Sequence, residues 1–364
     1  MAKKGEKDVN NLQSKIIEAK NQAKMPSKFL SKLQKDSDKL RIGSREEWVA
    51  HFPSPGINYL FGKTQGMKAG YTAMLYGPPK SGKSLLAFAA AGQLHKNDPE
   101  AIVLHFDTEF RDNVDTWVKA FGIDKDRFIT FQTNNPTDIF DYIANDVKAM
   151  LQEGEKIKMI IIDSLAMIRY PKEANKEVST DNVMGDAGSY LSGAMKLILP
   201  VIRQFKIATI LCQHVRANMD PNSAKYRPFI VPGGFALKHS VEYWILATKI
   251  ESKDTKVFDS GRKDGSGNEI QTGHMIRVKM EENSLGPQNR SVEVALSYTD
   301  GIVNQSEEVA TLAVNMGIVE RPNNISYQYG DKKWQGFNNF ALAVKDDELL
   351  QEELMSKIKD NDVT

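Results

Sequence analysis

The chain has 364 residues, 41% of them hydrophobic and 26% charged, and a formal net charge of +1. These proportions suit a globular protein with one large domain and appendages, and they mean that any contact with nucleic acid must come from local basic surface. The single cysteine, Cys212, excludes a disulfide scaffold and argues against a cysteine-based zinc site, which fits a reducing cytosol. No run approaches the roughly 20 apolar residues of a membrane span, and the N-terminus lacks the apolar stretch of a secretion signal, so no membrane partner is expected.

Residues 1–45 are rich in Lys and carry a sparse apolar stripe at Leu12, Ile16 and Ala19, then Phe29, Leu30 and Leu33. Helical pieces fit this pattern, but the apolar surface is too small for an independent core. The segment reads either as a solvated tail or as an arm that docks on a neighbouring subunit. From about 55 to 300, apolar runs alternate with helical patterns. Strands are expected at Tyr71–Tyr76, Ala101–Phe106, Phe128–Phe131, Met159–Ile162 and Ile207–Cys212, with helices at 84–96, 112–121, 137–152 and 188–205. Such alternation predicts an α/β core whose mostly parallel sheet is covered on both faces. Val241–Ile250 continues as a strand, and Val257–Met280 reads as a hairpin turned at Lys263–Gly267. Two connections, Tyr170–Gly185 and Val215–Gly234, lack periodicity and exceed ordinary loop length, which marks them as functional or mobile. The division expected is an arm at 1–45, a core at 46–300 and a small helical appendage at 301–364 that carries Tyr327, Tyr329 and Trp334.

Between the first strand and the first helix stand Gly77, Pro78, Pro79, Lys80, Ser81, Gly82, Lys83 and Ser84. This is a complete phosphate-binding P-loop. The glycines let successive backbone N–H groups curl around an anion, the helix N-terminus adds its dipole, and Lys83 can reach the β- and γ-phosphates. Ser84 offers a hydroxyl to Mg²⁺. The chain is therefore expected to bind a nucleoside triphosphate, ATP, with Mg²⁺. In open α/β sheets the ligand sits beyond the carboxyl ends of the strands. Three further strands end there in polar residues: Asp107-Thr108-Glu109, Asp163-Ser164 and Gln213. Asp163 suits an aspartate that holds Mg²⁺ directly or through water, and Glu109 suits the group that polarises the attacking water. Gln213 can hydrogen-bond the γ-phosphate or that water. For each, the competing reading is a strand-end cap or an ion-pair partner.

The order of P-loop, Asp-x-Glu, Asp-Ser and Gln before a loop closing in Gly233-Gly234 resembles the RecA recombinases. Asp181 to Gly185 and the helix around Ser192 to Lys196 are similar to the family's first DNA-binding loop and the helix after it. Gly233 to Lys238 is similar to the end of the second, and Leu312 to Val319 to the segment that closes the family core. Ser27 to Leu30, with Gly66-Met67, looks closest to the phage UvsX-type branch. The resemblance implies a RecA-like P-loop ATPase core with DNA-binding loops at about 170–187 and 215–234. It also implies a DNA-dependent ATPase that assembles head to tail as a helical filament on single-stranded DNA and pairs it with homologous duplex. A single-strand-binding protein and a loading mediator are the candidate accessory partners, and the cytoplasm of a bacterium or phage-infected cell is the implied location.

By position, the same resemblance puts Trp117 against the adenine. It makes Met184, Gly185, Lys196, Arg216, Lys225, Arg227, Phe229, Gly233 and Gly234 DNA-binding candidates. Interleaved basic and aromatic residues suit a grip on single strands that ignores sequence. One departure stands out. Where bacterial members carry two lysines that reach the neighbouring subunit's ATP, this chain has Glu282 and Ser284. Lys279 or Arg262 as substitutes, a cation bridge, or weak hydrolysis would each accommodate it. Two other readings stay open: a non-catalytic RecA-like mediator switched by ATP binding, and a hexameric motor of the DnaB helicase class.

Overall fold

A computed structural model of the chain describes residues 48–111, 114–170, 184–225, 228–251 and 256–362. The expected arm at 1–45, most of the first long connection and Arg227 lie outside the described residues, as do the side chains of Trp117 and Met184. A short antiparallel pair, β1 (Val49–Ala50) with β2 (Met67–Lys68), precedes the core. β3 (Thr72–Gly77) leads through the P-loop into the helix Lys83–Asn97, and β4 (Ile102–Asp107) into the helix Val114–Phe121. β5 (Phe128–Gln132) precedes a helical stretch from Pro136 to Glu153, started by Asn135, whose side chain accepts the Thr137 N–H. β6 (Ile157–Asp163) and β7 (Ala208–His214) flank the helix Met184–Phe205. In the second long connection lie β8 (Arg216–Ala217) and β9 (Phe229–Ile230), followed by the helix Gly234–Ser240 and β10 (Tyr243–Lys249). β11 (Lys256–Lys263), β12 (Glu269–Asn283), β13 (Arg290–Ser297) and β14 (Gly301–Val303) complete the core.

The central sheet runs β14-β13-β12-β10-β3-β7-β6-β4-β5, with β11 on β12. Pairings from β10 through to β5 are parallel, and those from β10 outward to β14 antiparallel. This is the mostly parallel α/β sheet that the alternating pattern predicts. The parallel strands read as continuous apolar runs because both of their faces are covered. Period-2 alternation divides them between two cores. Ala73, Leu75, Val103, Met159, Ile161, Ile210 and Cys212 pack with the P-loop helix, whereas Met74, Tyr76, Leu104, Phe106, Ile160, Ile162 and Leu211 pack with the helix Met184–Phe205. Gly92 permits the close approach of the P-loop helix to the next one, since a Cβ there would lie 2.0 Å from the Phe121 carbonyl oxygen. Among the described residues no helix is long and apolar enough to cross a membrane.

Two expectations need refinement. The second long connection is not featureless. β8 and β9 pair antiparallel, Arg216 opposite Ile230, around the short helix Pro221–Ala224, whose cap Asp220 accepts the Asn222 N–H. Strands of two residues are too short to print an alternation on the sequence. The C-terminal appendage is helical as expected, with Gln305–Asn315, Phe337–Asp346 and Glu348–Asp360, but it also holds a three-stranded sheet of β15 (Glu320–Asn323), β16 (Ser326–Tyr329) and β17 (Lys332–Gln335). Most side chains on these strands reach solvent, so no apolar period announces them.

The appendage has its own core, in which Val309, Leu312, Tyr327, Phe340, Val344, Leu350 and Leu354 meet. Glu308 ties it to the start of the main core: its Oε2 accepts the Ser54 hydroxyl at 2.5 Å and the Gly56 N–H at 2.9 Å. Burial pushes this carboxyl up to about 7, the Ser54 and Gly56 donors opposing. A raised value means that the folded chain holds its proton where the unfolded chain has lost it, so stability falls as pH rises from about 4.5 to about 7 and levels off above. Glu308→Gln is expected to flatten that slope, which is on the order of 3 kcal/mol at full span. Urea melts at pH 5 and pH 8 check it, and a slope unchanged in the variant would refute the assignment.

Candidate nucleotide-binding site

The P-loop is shaped by backbone that few residues tolerate. A Cβ on Gly77 would lie 2.0 Å from the Ala247 carbonyl oxygen of β10, and Gly82, at φ 90°, opens the helix in the left-handed region. Lys80 shares that region at φ 60°, a strain that loops of this kind hold in place by the surrounding sheet. Lys83 is buried, and its ammonium donates to the carbonyls of Gly77 at 3.1 Å and Pro78 at 2.9 Å. Burial lowers its pKa, while the charges of Asp163 and Glu109 pull it back up. Among the described residues the buried Ser81 hydroxyl has no hydrogen-bond partner. A cradle with a docked cation and an orphaned hydroxyl fits an anion such as a phosphate.

β6 brings Asp163 to this cradle. The Ser84 hydroxyl and the Cys212 thiol of β7 lie beside its carboxylate. Burial raises the Asp163 pKa, and the nearby Glu109 charge adds to the rise. The Asp163–Ser164 peptide bond is cis. Glu109, just past β4, meets the same site. Its Oε1 lies 2.7 Å from His214 Nε2 and 2.9 Å from the Ser164 hydroxyl, and its Oε2 lies 2.6 Å from Arg111. The His214 hydrogen bond, then Ser164 and Arg111, hold its pKa down to about 2 against burial.

The resulting cleft, about 390 Å³, has the P-loop from Lys80 to Leu85 on one wall. Glu109, Arg111, His214, Lys249, His274 and Tyr298 form the other. Sequence reasoning reached the P-loop, Glu109 and Asp163, but it missed His214, Arg111 and the trio from β10, β12 and the end of β13. Within that trio, His274 Nδ1 lies 3.0 Å from the Tyr298 hydroxyl, and burial lowers the His274 pKa. Gln213 does not face the cleft. Its neighbour Cys212 belongs to the P-loop-side core and Leu211 to the opposite one, and the Gln213 amide turns to the latter side, donating to the Pro232 carbonyl at 3.2 Å. It thus pins the returning arm of the second long connection to the end of β7.

On that connection Arg216 and Lys225 are exposed and Phe229 half-buried. Gly233, at φ 118°, would press a Cβ to 2.2 Å from Leu237, and Gly234 opens the following helix. Lys196 is exposed on the helix that Met184 and Gly185 begin. A second groove, about 700 Å³, separates Phe229 and Pro232 from Tyr76, Trp244, Glu281 and Glu282. There the Tyr76 hydroxyl donates to Glu281 at 2.5 Å, and Lys279 lies 3.5 Å from the same carboxylate. Glu282 and Ser284 are exposed, and the side chain of Arg262 lies outside the described residues.

A strand, a glycine-rich turn and a helix, with an acid brought to the turn from a parallel strand of the same sheet, define a P-loop nucleotide-binding α/β protein. Residues 21–303 match the model of the RecA N-terminal domain. The chain belongs to the RecA family of recombinases. It is 24% identical over 320 residues to Protein RecA of Mycoplasma mobile, spanning 87% of this chain and 89% of the relative. To Protein RecA of Porphyromonas gingivalis it is 27% identical over 296 residues, 81% of this chain and 80% of the relative. To that of Chlorobaculum tepidum it is 25% identical over 309 residues, 84% and 82%.

Proposed function

We propose that the chain is an ATP-dependent DNA strand-exchange recombinase that assembles as a filament on single-stranded DNA and pairs it with homologous duplex. The observation that carries this reading is the junction at the end of β7, where the root of a long basic and aromatic loop meets the acid beside the P-loop. In this reading the P-loop and Lys83 hold the triphosphate. Ser84 and Asp163 would hold Mg²⁺, which would supply charge neutralisation at the phosphates. Glu109 orients the attacking water, and Gln213 relays the state of the loop. Tyr298, 42% exposed on the cleft wall, offers a ring face to the base, the role that the resemblance gives to Trp117. Residues 1–45 act as the oligomerisation arm, and Met184, Gly185, Lys196, Arg216, Lys225, Arg227, Phe229, Gly233 and Gly234 as the DNA contacts. The phage UvsX-type branch rests on Ser27 to Leu30 and Gly66-Met67.

Single-stranded DNA is expected to stimulate ATP hydrolysis, and Arg216→Ala to weaken DNA binding alike across sequences. Its plot of log affinity against log salt is expected to flatten by about 0.7 for the lost phosphate contact. Fluorescence anisotropy with labelled oligonucleotides over a salt series measures this. A loss confined to one base composition would contradict a phosphate role.

The mediator reading has one observation in its favour. Lys279, the nearest substitute for the missing intersubunit lysines, is paired with Glu281, and Glu282 puts negative charge where the family places positive. An ATPase rate indifferent to DNA, with nucleotide-dependent assembly intact, would favour it.

A further inference from the structure

Besides the lysines of the P-loop itself, two cations among the described residues line the nucleotide cleft, Arg111 and Lys249. After burial, the Lys249 charge is what lowers the His274 pKa, and His274 is bonded to Tyr298, so Lys249 belongs to the side read as the base subsite. Arg111 belongs to the other side. Beyond burial, its charge bears on both Lys83 and Asp163, the groups read as holding the phosphates and the metal. Its Nη2 lies 2.6 Å from Glu109 Oε2, whereas His214 and Ser164 bond Oε1. Oε2 therefore keeps a lone pair for a water next to the guanidinium.

Packing does not account for this arrangement. Phe110, between the acid and the arginine, holds the left-handed region at φ 54°, which bulky side chains rarely adopt, and it is 52% exposed. Burial of the ring offsets little of that strain. What the turn achieves is to fold Arg111 back against Glu109 on the cleft wall, and strain of this kind is held where it serves a site. The ion pair is not a stabilising element either. The Arg111 side chain is 60% exposed, and a pair so exposed contributes little to the fold. A guanidinium carries five N–H donors in a planar fork, so a contact with Glu109 leaves others for an anion.

We propose that Arg111 is a further catalytic residue, which the chain supplies to its own nucleotide: the guanidinium bridges from Glu109 to the γ-phosphoryl group and neutralises the charge that develops there. In that step the water oxygen bonds the γ-phosphorus and the bond to the β-phosphate oxygen breaks. The water's proton passes to Glu109, and ADP and phosphate are left. Arg111 thus ties the acid that orients the water to the group the water attacks, and its contact strengthens only as the transition state is approached. The inference rests on the reading of Glu109 as the water-orienting acid of an ATPase.

The test uses the full chain with a saturating thymidine oligonucleotide. It reads ATP turnover, and the affinity for a fluorescent ADP and Mg²⁺ with and without tetrafluoroaluminate, which stands in for the phosphoryl group in transfer. Arg111→Ala is expected to lower kcat by about 10²–10³-fold, the usual cost of one preorganised donor. It is expected to lose a similar factor of the tightening that tetrafluoroaluminate gives, while KM for ATP and the affinity for ADP alone stay near the wild-type values. Arg111→Lys keeps the charge without the fork and is expected to recover part of both losses. Adding Arg111→Ala to Glu109→Gln is expected to weaken the tetrafluoroaluminate complex further, because the guanidinium touches the phosphoryl group itself. A double variant no weaker than Glu109→Gln alone would mean that Arg111 acts only through the acid, and it overturns the proposal. So does turnover that Arg111→Ala leaves unchanged, or an equal loss of affinity for ADP alone. Turnover insensitive to Glu109→Gln would instead sink the reading of the site and the inference with it.

Discussion

Glu109→Gln is expected to bind ATP with wild-type affinity and to lose turnover by about 10²–10⁴-fold, the usual contribution of a positioned general base. The substitution is nearly isosteric. A glutamine oxygen can still accept from the Ser164 hydroxyl or His214, so the fold around β4 and β6 keeps its contacts while the group loses its capacity to take a proton. A chain that holds ATP without cleaving it should also remain on DNA, and the expected signature is slow dissociation from a labelled oligonucleotide in the presence of ATP. Single-turnover hydrolysis and dissociation kinetics on the same preparation measure both. Turnover at the wild-type rate would remove Glu109 from the mechanism and leave its contacts with His214, Ser164 and Arg111 as structural.

Lys83→Ala attacks the other end of the cleft. The ammonium is buried and, among the described residues, bonded only to two backbone carbonyls of its own loop, which leaves its charge available to an anionic ligand. Burial disfavours that charge, and Asp163 and Glu109 sustain it. Removing a desolvated partner of an anionic ligand costs about 2–5 kcal/mol, or roughly 30- to 5,000-fold in Kd. Titration with a fluorescent ATP analogue reads the loss directly, and assembly on DNA that depends on ATP should disappear with it. The melting temperature of the ligand-free variant should stay near the wild-type value, because the two carbonyls it exposes can be solvated in the open cleft. An unchanged Kd would mean that the triphosphate is not held by this loop.

Much of this site could be read before any coordinates. The P-loop announces itself because its glycines meet local demands, such as the approach to Ala247 and the left-handed opening at Gly82, and because an apolar strand and a helix flank it. Glu109 and Asp163 were legible as polar residues that abruptly end apolar runs. Gln213 was visible for the same reason, yet its direction was not. A period-2 pattern says that neighbours face opposite ways, but not which of two polar neighbours meets the acid. Hence Gln213 was named and His214 overlooked. Lys249, His274 and Tyr298 were beyond reach for a different reason. They join the cleft only because β10 lies beside β3 and carries β12 and β13 with it, a set of pairings between residues far apart in sequence. The three small strands of the appendage were lost because four-residue segments with solvated side chains carry no apolar signal.

The register of β7 against β3, Gln213 opposite Tyr76 and His214 opposite Gly77, has a consequence of its own. Adjacent side chains on a strand project to opposite faces, so inserting or deleting one residue within β7 would swap the two rings of contacts. The imidazole would then grip the loop, and the amide would face the carboxylate. Length in this strand thus behaves as a gauge of wiring: homologous chains that keep the same count between the buried cysteine and the basic loop keep the same circuit, and an indel there would rewire it without altering a single polar residue.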